Sequence, residues 1–299
     1  MNYVDGVFMA VVRLNSNCVL CLLNKHLYCF PEDFSNELKV EYMQGILKII
    51  ANADIHMSAP EIIESINCFK KSLGINADFS QIKSYYNKYM LSLEKDIEDT
   101  IRLSKDSLMC AIKYAVAGNF IDFGAMDSVD EHKLINILEN YEKITIDNQL
   151  FQRFKNEIIK ANNIVYLVDN CGEIVLDKLL IKEIKLLNNN ANVDVIVRGE
   201  PVLNDCTFDD VKVVGIDNVA NVFENGTAIA GTVINRLPSE VKDKFDRADL
   251  IVSKGQGNFE TMRYCGKNVY YMFLCKCNYF ANRFGVEQYT GIFTNETEI

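Results

Sequence analysis

Beyond about residue 160 the chain breaks into short β-rich runs separated by helical stretches: Ile164 to Val168, Val193 to Val197, Val211 to Val214, Leu250 to Ser253 and Val269 to Leu274. Runs this apolar suit strands covered on both faces, the habit of a parallel sheet. The first run is followed by an amphipathic segment, Gly172 to Leu187, and then directly by the second run. That is a βαβ unit, for which a right-handed crossover is expected. A chain patterned in this way is confined to an α/β fold, a three-layer α/β/α sandwich around a mostly parallel, Rossmann-like sheet.

From about Ser35 to Tyr141 the spacing is different. Phe79, Ile82, Tyr86, Met90, Leu93, Ile97 and Ile101 recur at helical intervals, and the punctuation agrees with helices. Ser58 with Glu61 three residues on makes a capping-box pattern, Asp78 and Ser80 open a long helix after Gly74, and Gly118 with Asn119 interrupts the helix that begins near Ser104. The expected organisation is an N-terminal all-helical domain, residues 1–155, and an α/β domain, residues 156–299, that carries the chemistry.

With 299 residues and 49% hydrophobic content the chain can bury a sizeable core. Its net charge of −10, with no run of Lys or Arg longer than a pair, argues against nucleic acid or a membrane surface as partner, since either needs a concentrated positive footprint. The first residues lack the features of a secretory signal, and the expected location is the cytoplasm. Ten cysteines in a chain of this length then read as reduced thiols, and the glycosylation patterns at Asn225 and Asn295 carry no meaning.

In open parallel sheets ligands sit beyond the carboxyl ends of the strands, and the polar strings fall there. The first strand runs into Asp169, Asn170, Cys171, Gly172 and Glu173. The second ends in Arg198 and Gly199, followed by Asn204 and Asp205, and a later one in Ser253, Lys254, Gly255, Gln256, Gly257 and Asn258. Two carboxylates and a carboxamide, Asp169, Asn170 and Asp205, are hard oxygen donors suited to Mg²⁺ or Mn²⁺ more than to zinc. Lys254 with the backbone N–H groups from Gly255 to Asn258 suggests a cradle for phosphate. Taken singly, each residue also has a structural reading: Asp169, Asn170 and Asp205 as helix caps, Gly255 and Gly257 as a tight turn, Glu173 as a partner of the helix dipole. Their coincidence on neighbouring strand ends favours a site.

The strings V-D-N-C-G-E-I-V-L-D-K-L-L (168–180), V-R-G-E-P-V-L-N-D (197–205) and S-K-G-Q-G-N-F-E (253–260) resemble those of the damage-control phosphatases, metal-dependent enzymes long catalogued as a domain of unknown function. The resemblance extends to G-N-F-I-D-F-G (118–124), to Lys276 with Cys277, and to the Cys18-x-x-Cys21 of the prokaryotic-type branch, so it covers almost the whole chain. It implies a helical domain on an α/β/α sandwich, a cation on Asp169, Asn170 and Asp205, and a phosphate contact at Lys254. It also implies that Asn119 and Asp122 face the reacting groups, with Arg198 and Lys276 near the substrate. The substrate class implied is phosphorylated sugars or damaged phosphometabolites, and Co²⁺ or Ni²⁺ join Mn²⁺ and Mg²⁺ as candidate cations.

The mechanism expected from these residues is hydrolysis of a phosphate monoester by a water whose proton passes to Asp169 or Glu173. Two rivals stand beside it. S-adenosylmethionine-dependent methyl transfer would need a glycine-rich first turn and an acidic end to the second strand, where this chain has the single Gly172 and Arg198. A non-enzymatic metal-binding module would have no use for Lys254 and its loop. Cys18 and Cys21 cannot by themselves complete a tetrahedral metal site, and the buried-thiol reading is preferred.

Overall fold

The structure, a computed structural model, describes residues 13–122 and 130–299 together with two short strands, β1 (Tyr3–Val4) and β2 (Val7–Phe8), which pair antiparallel. Helices follow: α1 (Ser16–His26), α2 (Asn36–Ala51), α3 (Ala59–Ser72), α4 (Ser80–Leu103), α5 (Ser107–Gly118), α6 (Glu131–Glu139) and α7 (Asn148–Lys160). Their starts carry the capping chemistry that the sequence advertises. Glu61 accepts from the Ser58 N–H at 2.8 Å, and Asp78 accepts from the Ser80 N–H at 2.8 Å.

The second half alternates strand and helix: β3 (Asn163–Leu167), α8 (Glu173–Leu187), β4 (Asn192–Val197), α9 (Phe208–Val214), β5 (Asn221–Glu224), α10 (Ser239–Arg247), β6 (Leu250–Lys254), α11 (Gln256–Met262), β7 (Val269–Leu274), α12 (Asn278–Phe284) and β8 (Gly291–Asn295). The strands order as β5-β4-β3-β6-β7-β8, all parallel except β8, which runs against β7. From β3 the chain moves outward through β4 and β5, then returns to the far side of β3 to lay down β6. The reversal leaves a topological switch point between the ends of β3 and β6.

Alternation along β3 shows the layering. Ile164, Tyr166 and Val168 face a core shared with α4, α5, α6, α7 and α8, while Val165 and Leu167 face Phe245 of α10 and Phe259 of α11. The helical half divides in the same way. Helices α1 to α3 close a core of their own around Tyr42, Ile46, Ile62 and Ile66, whereas α4 to α7 are continuous with the core of the sheet. The segment ahead of α1 is tied to α11 by Arg13, whose Nη1 donates to the Thr261 carbonyl at 2.6 Å and whose own carbonyl accepts from Arg263 at 3.2 Å.

One expected strand is a helix. Val211 to Val214 lies in α9, because Asp210 caps its start by accepting from the Thr207 N–H at 2.9 Å and Gly215 ends it at φ 72. Val211 and Val214 are the buried pair and Val213 is exposed, a three-residue spacing that belongs to a helix. Strands β5 and β8, at the two edges of the sheet, are not among the apolar runs of the sequence: β5 is half solvated, and β8 alternates buried and half-buried residues. Among the described residues no helix is long and apolar enough to cross a membrane. All ten cysteines are unpaired, and Asn225 and Asn295 are buried.

Candidate active site

At the end of β3 the backbone of Asp169 to Cys171 lies against that of Asn204 to Cys206. The Cys206 N–H donates to the Asp169 carbonyl at 2.8 Å and the Cys171 N–H to the Asn204 carbonyl at 2.9 Å, with an antiparallel bridge between Asn170 and Asp205. This clamp brings two strings more than 30 residues apart in sequence to the same place. Gly172, at φ 74, turns the chain into α8, and its N–H donates to Asn87 Oδ1 at 2.7 Å.

Arg198, at the end of β4, lies between the two acidic groups and is buried. Its Nη2 is 3.2 Å from Asp169 Oδ1 and its Nε 2.6 Å from Asp205 Oδ2. The other Asp169 oxygen accepts from the side-chain amides of Asn170 at 2.8 Å and Asn119 at 3.1 Å. Burial, reinforced by the Asp205 and Glu173 carboxylates, pushes Asp169 well above the usual carboxylate range in spite of Arg198. Burial likewise pushes Asp205 up to about 6, with Arg198 opposing. Two buried carboxylates share this one guanidinium.

Gly255 is required at the end of β6. Its φ is 83 and ψ 152, a region that only glycine occupies readily, and a Cβ there would stand 2.0 Å from Asp169 Oδ2. The Asp169 carboxylate is packed directly on that backbone. Gly257 serves a different neighbour: a Cβ on it would meet the Ala230 carbonyl at 2.1 Å. Asn258 is buried, accepts from Arg198 Nη1 at 3.2 Å and donates to the Val168 carbonyl at 3.2 Å, which fixes the guanidinium to the strand end. Lys276, which is buried, has its Nζ 2.6 Å from Asp122 Oδ2, and Asp122 is close enough to raise both Asp169 and Asp205.

Lys254 is not placed as the sequence suggested. Its side chain is fully buried behind the site, where Nζ donates to Glu173 Oε1 at 2.6 Å, Asp177 Oδ1 at 2.7 Å and the Ala115 carbonyl at 2.8 Å. All three N–H donors are used, so a phosphate contact would require dismantling this arrangement. Burial opposes the charge, but Asp177 and Glu173 prevail and hold the ammonium above the ordinary lysine range. Glu173 is similarly committed: its other oxygen accepts from Asn119 at 3.0 Å and Asn170 at 3.1 Å. Its proximity to Asp169 was legible in the sequence, but its buried pairing with Lys254 was not. Asp177 and Tyr166, whose hydroxyl donates to Asp177 at 2.7 Å, escaped the sequence reading altogether. The available signal was the four-residue step from Glu173 to Asp177 on one helix face.

A divalent cation fits the donor set at the strand ends. Asp169, Asn170 and Asp205 can offer oxygen donors, and a cation would favour the ionised form of two carboxylates that share one guanidinium. Among the described residues no group of three or more His, Cys, Asp or Glu is arranged to hold a metal, so this mixed set of carboxylates and carboxamide is the candidate. Cys18 is buried, with its sulfur accepting from Asn15 Nδ2 at 3.1 Å, and burial pushes its thiol up to about 11; Cys21 is exposed.

The sequence matches the damage-control phosphatase ARMT1-like domain over residues 14–292. The chain belongs to that family. Within it, the chain is 28% identical to the damage-control phosphatase of Pyrococcus horikoshii, with 89% of this chain and 92% of that protein aligned. It is 30% identical to a damage-control phosphatase of Archaeoglobus fulgidus over 72% of this chain and 74% of the relative. An uncharacterized protein of Methanocaldococcus jannaschii is 28% identical over 92% of this chain and 93% of its own length. The crystal structure of a DUF89 family protein from Pyrococcus horikoshii superposes with a TM-score of 0.73 at 26% identity, covering 95% of this chain and 99% of that one. The fold is therefore that of the family, helices on an α/β/α sandwich.

Proposed function

We propose that this protein is a metal-dependent phosphatase that hydrolyses phosphate monoesters of small metabolites, sugar phosphates or damaged phosphometabolites among them. The observation that carries the reading is the convergence of Asp169, Asn170 and Asp205 at the switch point of the sheet, buried, with two carboxylates sharing one guanidinium. Family membership, with relatives named damage-control phosphatases, supports the reaction class.

Asp169, Asn170 and Asp205 would hold the cation, Mn²⁺ or Mg²⁺, with Co²⁺ or Ni²⁺ as further candidates. Bound there, such an ion supplies Lewis acidity toward a phosphoryl oxygen and lowers the pKa of water. The chain's own groups do the rest. Lys276, buried and paired with Asp122, adds positive charge toward a phosphate, and the Asp122 carboxylate takes the proton of the attacking water. Glu173 suits that task poorly, since both of its oxygens are occupied in a fully buried network. Arg198 keeps Asp169 and Asp205 aimed at one point, and Asn119 fixes the remaining Asp169 oxygen.

The test is a screen of phosphorylated metabolites and an aryl phosphate, using chelator-treated protein to which Mg²⁺, Mn²⁺, Co²⁺ or Ni²⁺ is returned. Release of inorganic phosphate only after a cation is added supports the reading. Release that persists in chelator, or none with any cation, removes it.

A further inference from the structure

Behind the strand-end donors lies a second group of charges that no contact with substrate explains. Tyr166 of β3, Asp177 and Glu173 of α8 and Lys254 of β6 form one continuous chain of hydrogen bonds, each of the three charged side chains fully buried. Glu173 and Asp177 stand one helical turn apart, so both reach the same ammonium. The Ala115 carbonyl takes its third donor at 2.8 Å. From Glu173 the chain continues forward. Its Oε2 accepts from Asn119 Nδ2 at 3.0 Å and Asn170 Nδ2 at 3.1 Å, and those same two nitrogens donate to Asp169 Oδ2.

The orientation of each amide follows. Asn119 Oδ1 accepts from the Leu274 N–H at 3.0 Å, which obliges its NH₂ group to point at the carboxylates. Among the described residues Asn170 Oδ1 has no such backbone lock. The Asn170 NH₂ is held between Asp169 and Glu173, and this turns its carbonyl oxygen away from both carboxylates. Glu173 is held from behind through its other oxygen by Lys254, which Asp177 and the Ala115 carbonyl hold in turn, while its forward oxygen also accepts from Asn119 and the Asn170 N–H.

We propose that Asp177 is a positioning residue for the cation site: acting through Lys254 and Glu173, it sets the Asn170 carboxamide with its oxygen toward the metal. The inference rests on the reading of Asp169, Asn170 and Asp205 as the cation's ligands. Groups that orient metal ligands from behind typically contribute ~10–100-fold to affinity. Asp177 Oδ1 receives both Lys254 and Tyr166, whereas Oδ2 is buried without a partner among the described residues. Asparagine can therefore keep both bonds through its carbonyl oxygen, and alanine can keep neither.

The experiment is calorimetric titration of chelator-treated protein with Mn²⁺, with circular dichroism to report folding. Asp177→Ala is expected to bind Mn²⁺ at least ~10-fold more weakly than wild type, and Asp177→Asn to recover affinity to within about threefold of wild type, as retention of both hydrogen bonds requires. If Asp177→Ala does not fold, the double variant Asp177→Leu with Lys254→Met removes the pair without changing net charge, and the same loss is expected. Wild-type affinity in a folded Asp177→Ala or double variant overturns the proposal. So does an equal loss in Asp177→Asn and Asp177→Ala, which would point to charge and not to hydrogen bonding. Absence of Mn²⁺ binding to the wild type refutes the cation site itself and is distinguishable from either result.

Discussion

Replacing Gly255 by alanine tests the packing of the site through a single methyl group. Two independent costs follow from the coordinates. The backbone at φ 83, ψ 152 is open to glycine and strained for any other residue, a penalty of about 1–3 kcal/mol. The new Cβ would also stand 2.0 Å from Asp169 Oδ2 and 2.1 Å from its Cγ, so the carboxylate must retreat by roughly 1 Å or more. That carboxylate cannot move alone, because Arg198, Asn119 and Asn170 are all bonded to it. A misplacement of about 1 Å can cost ~10²-fold in rate. Gly255→Ala is therefore expected to lower the denaturation free energy by more than the ~1–3 kcal/mol of backbone strain alone and phosphatase turnover by ~10²-fold. Urea denaturation and release of phosphate from an aryl ester measure the two separately. A variant with full turnover and unchanged stability would refute the claim that Asp169 is seated on this backbone and that its position matters.

Further outcomes follow from the same geometry. Asp205→Asn keeps an oxygen for Arg198 Nε but removes a charge, so the chain should fold while Mn²⁺ affinity in calorimetry drops by more than the ~10–100-fold expected for loss of a hydrogen bond behind a ligand. Mn²⁺ at a hundredfold above its Kd should stabilise the chelator-treated protein by about 2.7 kcal/mol, read as a rise in unfolding temperature that Asp205→Asn shows much less. Burial, then the neighbouring Lys70 and Lys25, lower His26 from 6.5 to about 4. Its folded pKa lies below the unfolded one, so the associated stability is full above pH 6.5 and is lost as pH falls toward 4. The full shift corresponds to about 3 kcal/mol, reduced to about 1–2 kcal/mol by partial exposure; His26→Gln should flatten that part of the stability profile.

The strings that point to the candidate site were readable because carboxylates and amides follow more than one apolar run, a coincidence that capping or turn preference at a single strand end does not require. Asp169, Asn170 and Asp205 stood out, and β3, β4, β6 and β7 were visible as apolar runs. Val211 to Val214 misled because three valines in four residues look alike in a strand and in a capped helix; the deciding features, the Thr207–Asp210 pairing and Gly215, flank the run. Lys254 misled for a related reason. A lysine before a glycine-rich turn reads as a phosphate ligand when its neighbours are taken from the sequence, yet its partners Glu173 and Asp177 lie more than 70 residues away. Helix α8 concealed them: it is buried almost all round, including Glu173, Asp177 and Lys178, so its charged residues imitate the solvent face of an amphipathic helix.

Anomalous scattering from a crystal grown with Mn²⁺ examines the cation site most directly. An anomalous peak in contact with the side-chain oxygens of Asp169, Asn170 and Asp205 is the expected result. A peak elsewhere, or none while those three side chains keep the Arg198, Asn119 and Glu173 contacts described above, would contradict it.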